Sequence, residues 1–491
     1  MKKNVRTLLI AIIAVVVLAG AAGLLLLTEP QDKADPEGGT QSGDTAKVTI
    51  LDADPKTITR ITVKNQKDSY VFLPDADTQS GFTIQGMEEQ DLRDGYVQYS
   101  AENGYKLSAI RDFGERENLG EYGLDKPTAT YTIAHQDGSE KTVRVGLAVP
   151  GDEGRYYVAL EGEKRVYSAA IYSLMLESAL GYINTTLAMS SAGSEDTETA
   201  AKLDRVTLGG TAWKEPVWIE KNKNYEKAGT PFFFSEMLML KPIYAACADK
   251  GWETLRIQLS AVIAERTVSA DVSEKGLKKY GLDTPTAEVE YVMEGKTVSL
   301  LAGKKSENGY YIMKKGGQAV FEIGEDAVSG WTDGDFYAKI DRHARHFNLI
   351  DFQEVELQTW EETINFSIEQ IQTDPDEAGN ITTMYTVRSS ENELNFATFD
   401  KLFTMLNQME SEGMPEGVPE GDPLLTITLM YREDLEAGGA RVRFYYAGDR
   451  RYHVVYNEEN CYVTVKESYV EDLLAAAQRS LKDVVDQEYP L

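Results

Sequence analysis

The eleven-residue pattern Leu-x-x-Tyr-Gly-Leu-Asp-x-Pro-Thr-Ala occurs twice, at 119–129 and at 277–287, with eight identities held in register. A repeat spaced 158 residues apart constrains the chain more than any other feature, because its surroundings recur in the same order. Upstream, "ITRITV" (Ile58–Val63) is matched by "LDRVTL" (Leu203–Leu208), and both alternate apolar with polar residues as half-buried strands do. Downstream, "TVRVG" ending at Gly146 answers "TVSLLAG" ending at Gly303, and "GRYYVAL" from Gly154 answers "NGYYIMK" from Asn308. "RVYSAAIYSLMLESAL" (Arg165–Leu180) is then shadowed by "AVFEIGEDAVSGW" (Ala319–Trp331).

A third, divergent copy follows the same order. It runs from "FQEVELQ" (Phe352–Gln358) through "PLLTITLMY" (Pro423–Tyr431) and "RVRFYYAGDRRYHVVY" (Arg441–Tyr456) to "CYVTVKESYVEDLLAAA" (Cys461–Ala477). Its Tyr-Gly-Leu-Asp element is missing, and "GMPEGVPEGD" stands there instead. Units this long are whole domains rather than solenoid repeats, and 491 residues suit roughly three of them. The expected units are 48–190, 200–340 and 345–491.

Each copy reads as strand, strand, helix, three or four strands, short helix. In copy three Phe399, Leu402, Phe403, Leu406 and Met409 share one helical face; in copy two Leu255, Leu259, Val262 and Ile263 do so. A closing helix is expected from a Ser468 N-cap, burying Val470, Leu473, Leu474 and Leu481. Strands on both sides of a helix indicate an α+β fold: related domains in tandem, each a mainly antiparallel sheet with packed helices.

The repeated motif has a backbone explanation. Near Leu119 a helix ends and the chain turns into a strand. Gly123 supplies a positive φ, Asp125 closes an Asx-turn, and Pro127 forbids further helix. Tyr122 and Leu124 tuck under the sheet. Leu277, Tyr280, Gly281, Leu282, Asp283 and Pro285 repeat the device, so these twelve positions are read as structural rather than ligand-binding.

Before the first copy, Lys2, Lys3 and Arg6 precede an uncharged apolar stretch from Leu8 to Leu27. Twenty helical residues rise about 30 Å, the thickness of a bilayer core. That length favours an uncleaved anchor (residues 1–28) over a cleaved signal peptide, although small residues at 19–22 leave a cleavage site available. No cysteine follows the stretch, which disfavours a lipoprotein. The flanking cations place the N-terminus in the cytoplasm and the rest outside. Residues 29–47, rich in Pro, Gly, Asp and Ser, read as a flexible spacer.

A net charge of −30 argues against nucleic acid and anionic lipid surfaces as ligands. Two distant cysteines, Cys247 and Cys461, read as buried thiols, with one long-range disulfide as the alternative. The sequence contains no Gly-x-Ser-x-Gly elbow, Walker loop or His-Glu-x-x-His. Only "DRHARH" (Asp341–His346) clusters histidines. His343 and His346 on one helical face, with Asp341, make a possible metal set, but no further ligands are spaced nearby. The preferred reading is a solvated segment joining copies two and three, so no catalytic residue, metal or cofactor is expected. The aromatic runs "PFFFSEMLML" (Pro231–Leu240) and "RFYYAG" (Arg443–Gly448) read as core strands.

The Leu-x-x-Tyr-Gly-Leu-Asp-x-Pro core, the Gly-x-Tyr-Tyr strand and the preceding Val-x-Val-Gly resemble the bacterial family called domain of unknown function 4340. Copies one and two carry these residues; copy three follows only in outline. The resemblance implies a membrane anchor with an exterior body, often encoded beside ABC-transporter components of the gliding-motility auxiliary type. It implies an accessory role with an ABC-type permease as partner, and it carries over no catalytic residue. The competing expectation is an envelope hydrolase acting on a wall polymer.

Overall fold

The computed structural model describes residues 48–191, 201–230, 234–343, 346–374, 382–413, 419–435, 437–457 and 459–485. The expected anchor and spacer (residues 1–47) lie outside the described residues. Among the described residues no helix is long and apolar enough to cross a membrane.

The first copy comprises β1 (Val48–Asp52), β2 (Ile58–Asn65), β3 (Ser69–Pro74), β4 (Phe82–Ile84), helix α1 (Asp94–Tyr105), β5 (Lys106–Ala109), β6 (Arg111–Glu115), β7 (Ala129–His135), β8 (Glu140–Ala148), β9 (Arg155–Leu160) and β10 (Arg165–Ala170). The second has β11 (Thr186–Met189), β12 (Leu203–Gly209), β13 (Val217–Lys221), β14 (Met237–Lys241), β15 (Ala245–Ala246), α2 (Asp249–Ser260), β16 (Ala261–Ile263) and β17 (Arg266–Ser269). It continues through α3 (Glu274–Tyr280), β18 (Ala287–Met293), β19 (Lys296–Lys305), β20 (Gly309–Lys314), β21 (Val320–Gly324) and the single turn α4 (Ser329–Thr332). The third has β22 (Phe352–Thr359), β23 (Thr363–Gln372), β24 (Thr383–Ser389), β25 (Asn392–Leu394), α5 (Phe396–Asn407), β26 (Leu425–Tyr431), β27 (Ala440–Gly448), β28 (Arg451–Tyr456), β29 (Glu459–Lys466) and α6 (Glu467–Lys482).

The three large sheets share a seven-strand order and differ at the edges, where β15 and β25 extend one side and β6 and β17 the other. Their orders are β4-β3-β2-β7-β8-β9-β10-β6, β15-β14-β13-β12-β18-β19-β20-β21-β17 and β25-β24-β23-β22-β26-β27-β28-β29. In each, the opening strand lies antiparallel to the strand after the corner: Ile61 faces Ile133, Val206 faces Tyr291 and Val355 faces Leu429. This repeat of mainly antiparallel sheets with few helices agrees with the coarse reading of the sequence. Strict alternation of buried and half-buried residues along β18 shows the physical reason, since period two turns every second side chain to the core.

A smaller pairing also recurs. The strand leading into each copy pairs antiparallel with the residues that follow its middle helix: β1 with β5, β11 with β16, and His343 with Glu410. Copies one and two share one continuous core running from Leu51 to Ile340, whereas copy three builds its own from Phe347 to Ala477.

Several local expectations are corrected. Helix α2 ends at Ser260, and Val262 and Ile263 belong to β16 instead of the helical face. Ala261 is already extended (φ −145°, ψ 101°), because pairing with β11 satisfies its backbone better than another helical turn. Met409 lies beyond the end of α5 yet is buried. Helix α6 starts at Glu467 with Lys466 at its N-cap position and no side-chain cap, so Ser468 does not cap it. Its buried stripe is Val470, Leu473, Ala476, Ala477 and Ser480, while Leu474 and Leu481 pack at the margin. The middle helix is followed by short strands in copies one and two, not directly by the corner.

Candidate functional site

The repeated motif forms the same corner twice. In copy one, a single 3-10 turn spans Leu119–Tyr122, with Asn118 Oδ1 accepting from the Gly120 N–H (3.2 Å). The expected helix at Leu119 is therefore only one turn. In copy two it is α3, capped by Ser273 Oγ accepting from the Gly276 N–H (3.2 Å). Both ends close with two bonds: Leu124 N–H to Leu119 C=O (3.1 Å) with Gly123 N–H to Gly120 C=O (3.0 Å), and Leu282 N–H to Leu277 C=O (3.0 Å) with Gly281 N–H to Lys278 C=O (3.2 Å). This is the Schellman arrangement, which needs a left-handed residue. Gly123 and Gly281 supply it, at φ +73° and +70°.

The corner packs on the face of each sheet opposite the main core. Leu124 is fully buried with Ala159 and Val166, flanked by Leu119, Tyr122 and Tyr157; Leu282 is buried with Tyr280, Met313 and Val320, flanked by Leu277 and Tyr311. Tyr122 meets Tyr157 edge-on at 5.0 Å, and Tyr280 meets Tyr311 at 4.8 Å. Below each corner lies a strand glycine. A Cβ on Gly146 would overlap the Tyr122 carbonyl oxygen, and one on Gly303 would overlap that of Tyr280.

After the corner, Thr128, next to Pro127, docks on β8, its N–H and hydroxyl both donating to the Val145 carbonyl (2.8 and 3.0 Å). The Pro285 carbonyl accepts from the Thr211 N–H (3.0 Å). Asp125 and Asp283 are exposed, and among the described residues neither closes the expected Asx-turn, because the residue two further on is Pro127 or Pro285, which has no N–H to donate. Sequence reasoning passed over both caps, Asn118 and Ser273, although a polar residue just ahead of a helical turn is the usual signal. It also missed the load on Gly146 and Gly303. In copy three, the segment replacing the corner falls partly outside the described residues. Glu412 N–H and Gly413 C=O pair with Thr464 of β29 (2.8 and 3.2 Å).

The junction of copies two and three brings together Asp341, His343 and His346. Asp341 Oδ1 lies 2.8 Å from His343 Nδ1, and Oδ2 lies 3.0 Å from His346 Nε2. Burial pushes the Asp341 carboxyl up, but hydrogen bonds from the His346 ring and from the backbone and ring of His343 outweigh it, holding the group down at about 2. Asp341, His343 and His346 lie outside any helix and are half-buried, while Arg342 is exposed. His343 is bridged to Glu410, and Phe234 meets the His346 ring edge-on at 4.1 Å.

Other candidate features resolve as structure. Cys247 is a buried free thiol that burial pushes up to about 12; the side chain of Cys461 is outside the described residues. Of the aromatic runs, Met237, Leu238, Met239 and Phe444 are core, while Tyr446 is exposed and residues 231–233 lie outside the described residues. A cleft of about 760 Å³ opens on copy two beside Lys221, Trp252 and Arg256. Arg256 is paired with Glu253 at 2.7 Å, which braces α2 within its own first turns.

Fold and corner together define a class: antiparallel-sheet domains in tandem, each of the first two locked by a glycine-dependent turn on its outer face. The family model described as domain of unknown function (DUF4340) matches residues 102–228 and 249–424, more than half of the chain. The chain belongs to that family. The first stretch begins within α1 and ends past the β12–β13 hairpin, and the second begins with α2 and ends just before β26. No curated protein and no solved structure matches the chain.

Proposed function

We propose that the chain is a membrane-anchored, extracytoplasmic, non-enzymatic accessory protein that works beside an ABC-type transport complex. The observation that carries this reading is the arrangement of apolar Leu8–Leu27 behind three cations, then a polar spacer, then a body of repeated sheets. β1, the first described strand, pairs with β5 as β11 pairs with β16. Tethering raises the body's effective concentration near a neighbouring permease. One transmembrane helix offers no transport pathway of its own, which leaves binding as its role. The resemblance to a family often encoded beside ABC components points the same way.

Alkaline carbonate washing should leave the full chain in the membrane pellet, and affinity purification from solubilised membranes should bring down a polytopic permease. Release of a mature chain starting near residue 23 would overturn the anchor. Hydrolysis of a wall polymer by the full chain, with no permease recovered, would replace the accessory reading with the hydrolase one.

A further inference from the structure

Asp341, His343 and His346 place one ligand atom each within 4.8 Å of one another. These atoms, two imidazole nitrogens and a carboxylate oxygen, are the donor set that late first-row divalent cations prefer. The backbone carrying them is tied on both sides. Asp341 N–H donates to the Ala246 carbonyl of copy two (2.9 Å). Toward copy three, Ser411 N–H donates to the Arg342 carbonyl (2.8 Å), and Asn407 holds both the N–H (2.6 Å) and the carbonyl (2.9 Å) of Phe347. Phe234 of copy two rests against the His346 ring and limits its rotation. Such outer contacts orient metal ligands in established sites.

We propose that Asp341, His343 and His346 form a binding site for one divalent cation of the zinc class, placed at the junction where copy two hands the chain to copy three. The three side chains retain 21%, 41% and 33% exposure, so water reaches the site and completes the coordination shell. In the ion-free arrangement the two rings hydrogen-bond the carboxylate. On cation binding each neutral ring turns a lone pair to the ion and carries its proton on the other ring nitrogen. The ligands sit between ties to Ala246 and to Asn407 and Ser411, so occupancy stiffens the segment that joins the second and third copies. This inference does not depend on the accessory reading.

The test uses the full chain in detergent, stripped by a chelator and titrated with zinc by calorimetry. One equivalent should bind. The double variant His343→Ala, His346→Ala should weaken it by more than about tenfold, the loss that even outer-sphere changes cause. His135→Ala, remote from the junction, should leave it unchanged. A second measurement needs only the wild-type protein: zinc should protect His343 and His346, but not His135, from carbethoxylation read by mass spectrometry. No one-equivalent binding, equal affinity in the double variant, or no selective protection would each overturn the site.

Discussion

The carbonyl oxygen of Tyr122 occupies the space that a side chain on Gly146 would need, and Tyr280 stands in the same relation to Gly303. The two glycines lie within β8 and β19, beside the register shifts between Val145 and Ala148 and between Ala302 and Lys305. Their role is close approach: the corner can lie flat on the sheet only where the strand beneath has no Cβ. The Tyr-Gly-Leu-Asp motif and the strand glycine are thus one device.

Gly146→Ala and Gly303→Ala should each destabilise the chain by about 2 kcal/mol or more, the scale of overpacking against a backbone that cannot retreat. Thermal melts of the purified full chain read this. Unchanged midpoints in both variants would mean that the corner does not bear on the strand.

Gly123→Ala and Gly281→Ala should cost more than about 1 kcal/mol, because alanine is strained at positive φ. The first should cost more than the second. A Cβ at Gly123 would come 2.7 Å from Leu147 Cγ and 2.9 Å from its nitrogen, whereas at Gly281 the nearest atom is Lys304 N at 3.0 Å. Urea midpoints in the reverse order would contradict this packing argument.

Two buried tyrosines should respond oppositely to loss of the hydroxyl. Tyr131 OH is buried with no hydrogen-bond partner among the described residues, while Tyr291 OH donates to the Leu259 carbonyl at 2.9 Å. Tyr131→Phe should be neutral or stabilise by about 1 kcal/mol, and Tyr291→Phe should cost about 1 kcal/mol. Equal losses in both would refute the difference in hydrogen bonding.

Asp68 links the β2–β3 turn to the closing turns of copy one. Burial pushes its carboxyl up, but the Ala179 N–H (2.9 Å), Ser178 hydroxyl (2.9 Å) and Ser69 N–H (2.7 Å) together hold it below the ordinary 3.8. A depressed carboxyl contributes stability that is fully present above pH 3.8 and is lost as pH falls through the folded value. Asp68→Asn should therefore be less stable than wild type at pH 7, with the gap closing below pH 3.8. A gap independent of pH would show that the carboxylate's charge plays no part.

Periodicity and repetition alone disclosed the repeated order of strands. The alternation in Ile58–Val63, Leu203–Leu208 and Phe352–Gln358 marked the opening strands, and the spacing of Phe399, Leu402, Phe403 and Leu406 marked α5. These are local properties, fixed by which side chains share a face. Gly123 and Gly281 were legible as left-handed turn residues for the same reason. Where neighbours in space decided the outcome, the sequence was silent. Val262 left its helix because β11 was there to pair with β16. Gly146 and Gly303 looked like ordinary strand ends until the corner was seen lying on them. The i, i+3 spacing of His343 and His346 suggested one helical face, but their convergence with Asp341 came from residues outside any helix, with Phe234 against the His346 ring. Residue spacing encodes a face of one element, whereas contact between elements depends on how the chain returns in three dimensions, and that only tertiary packing decides.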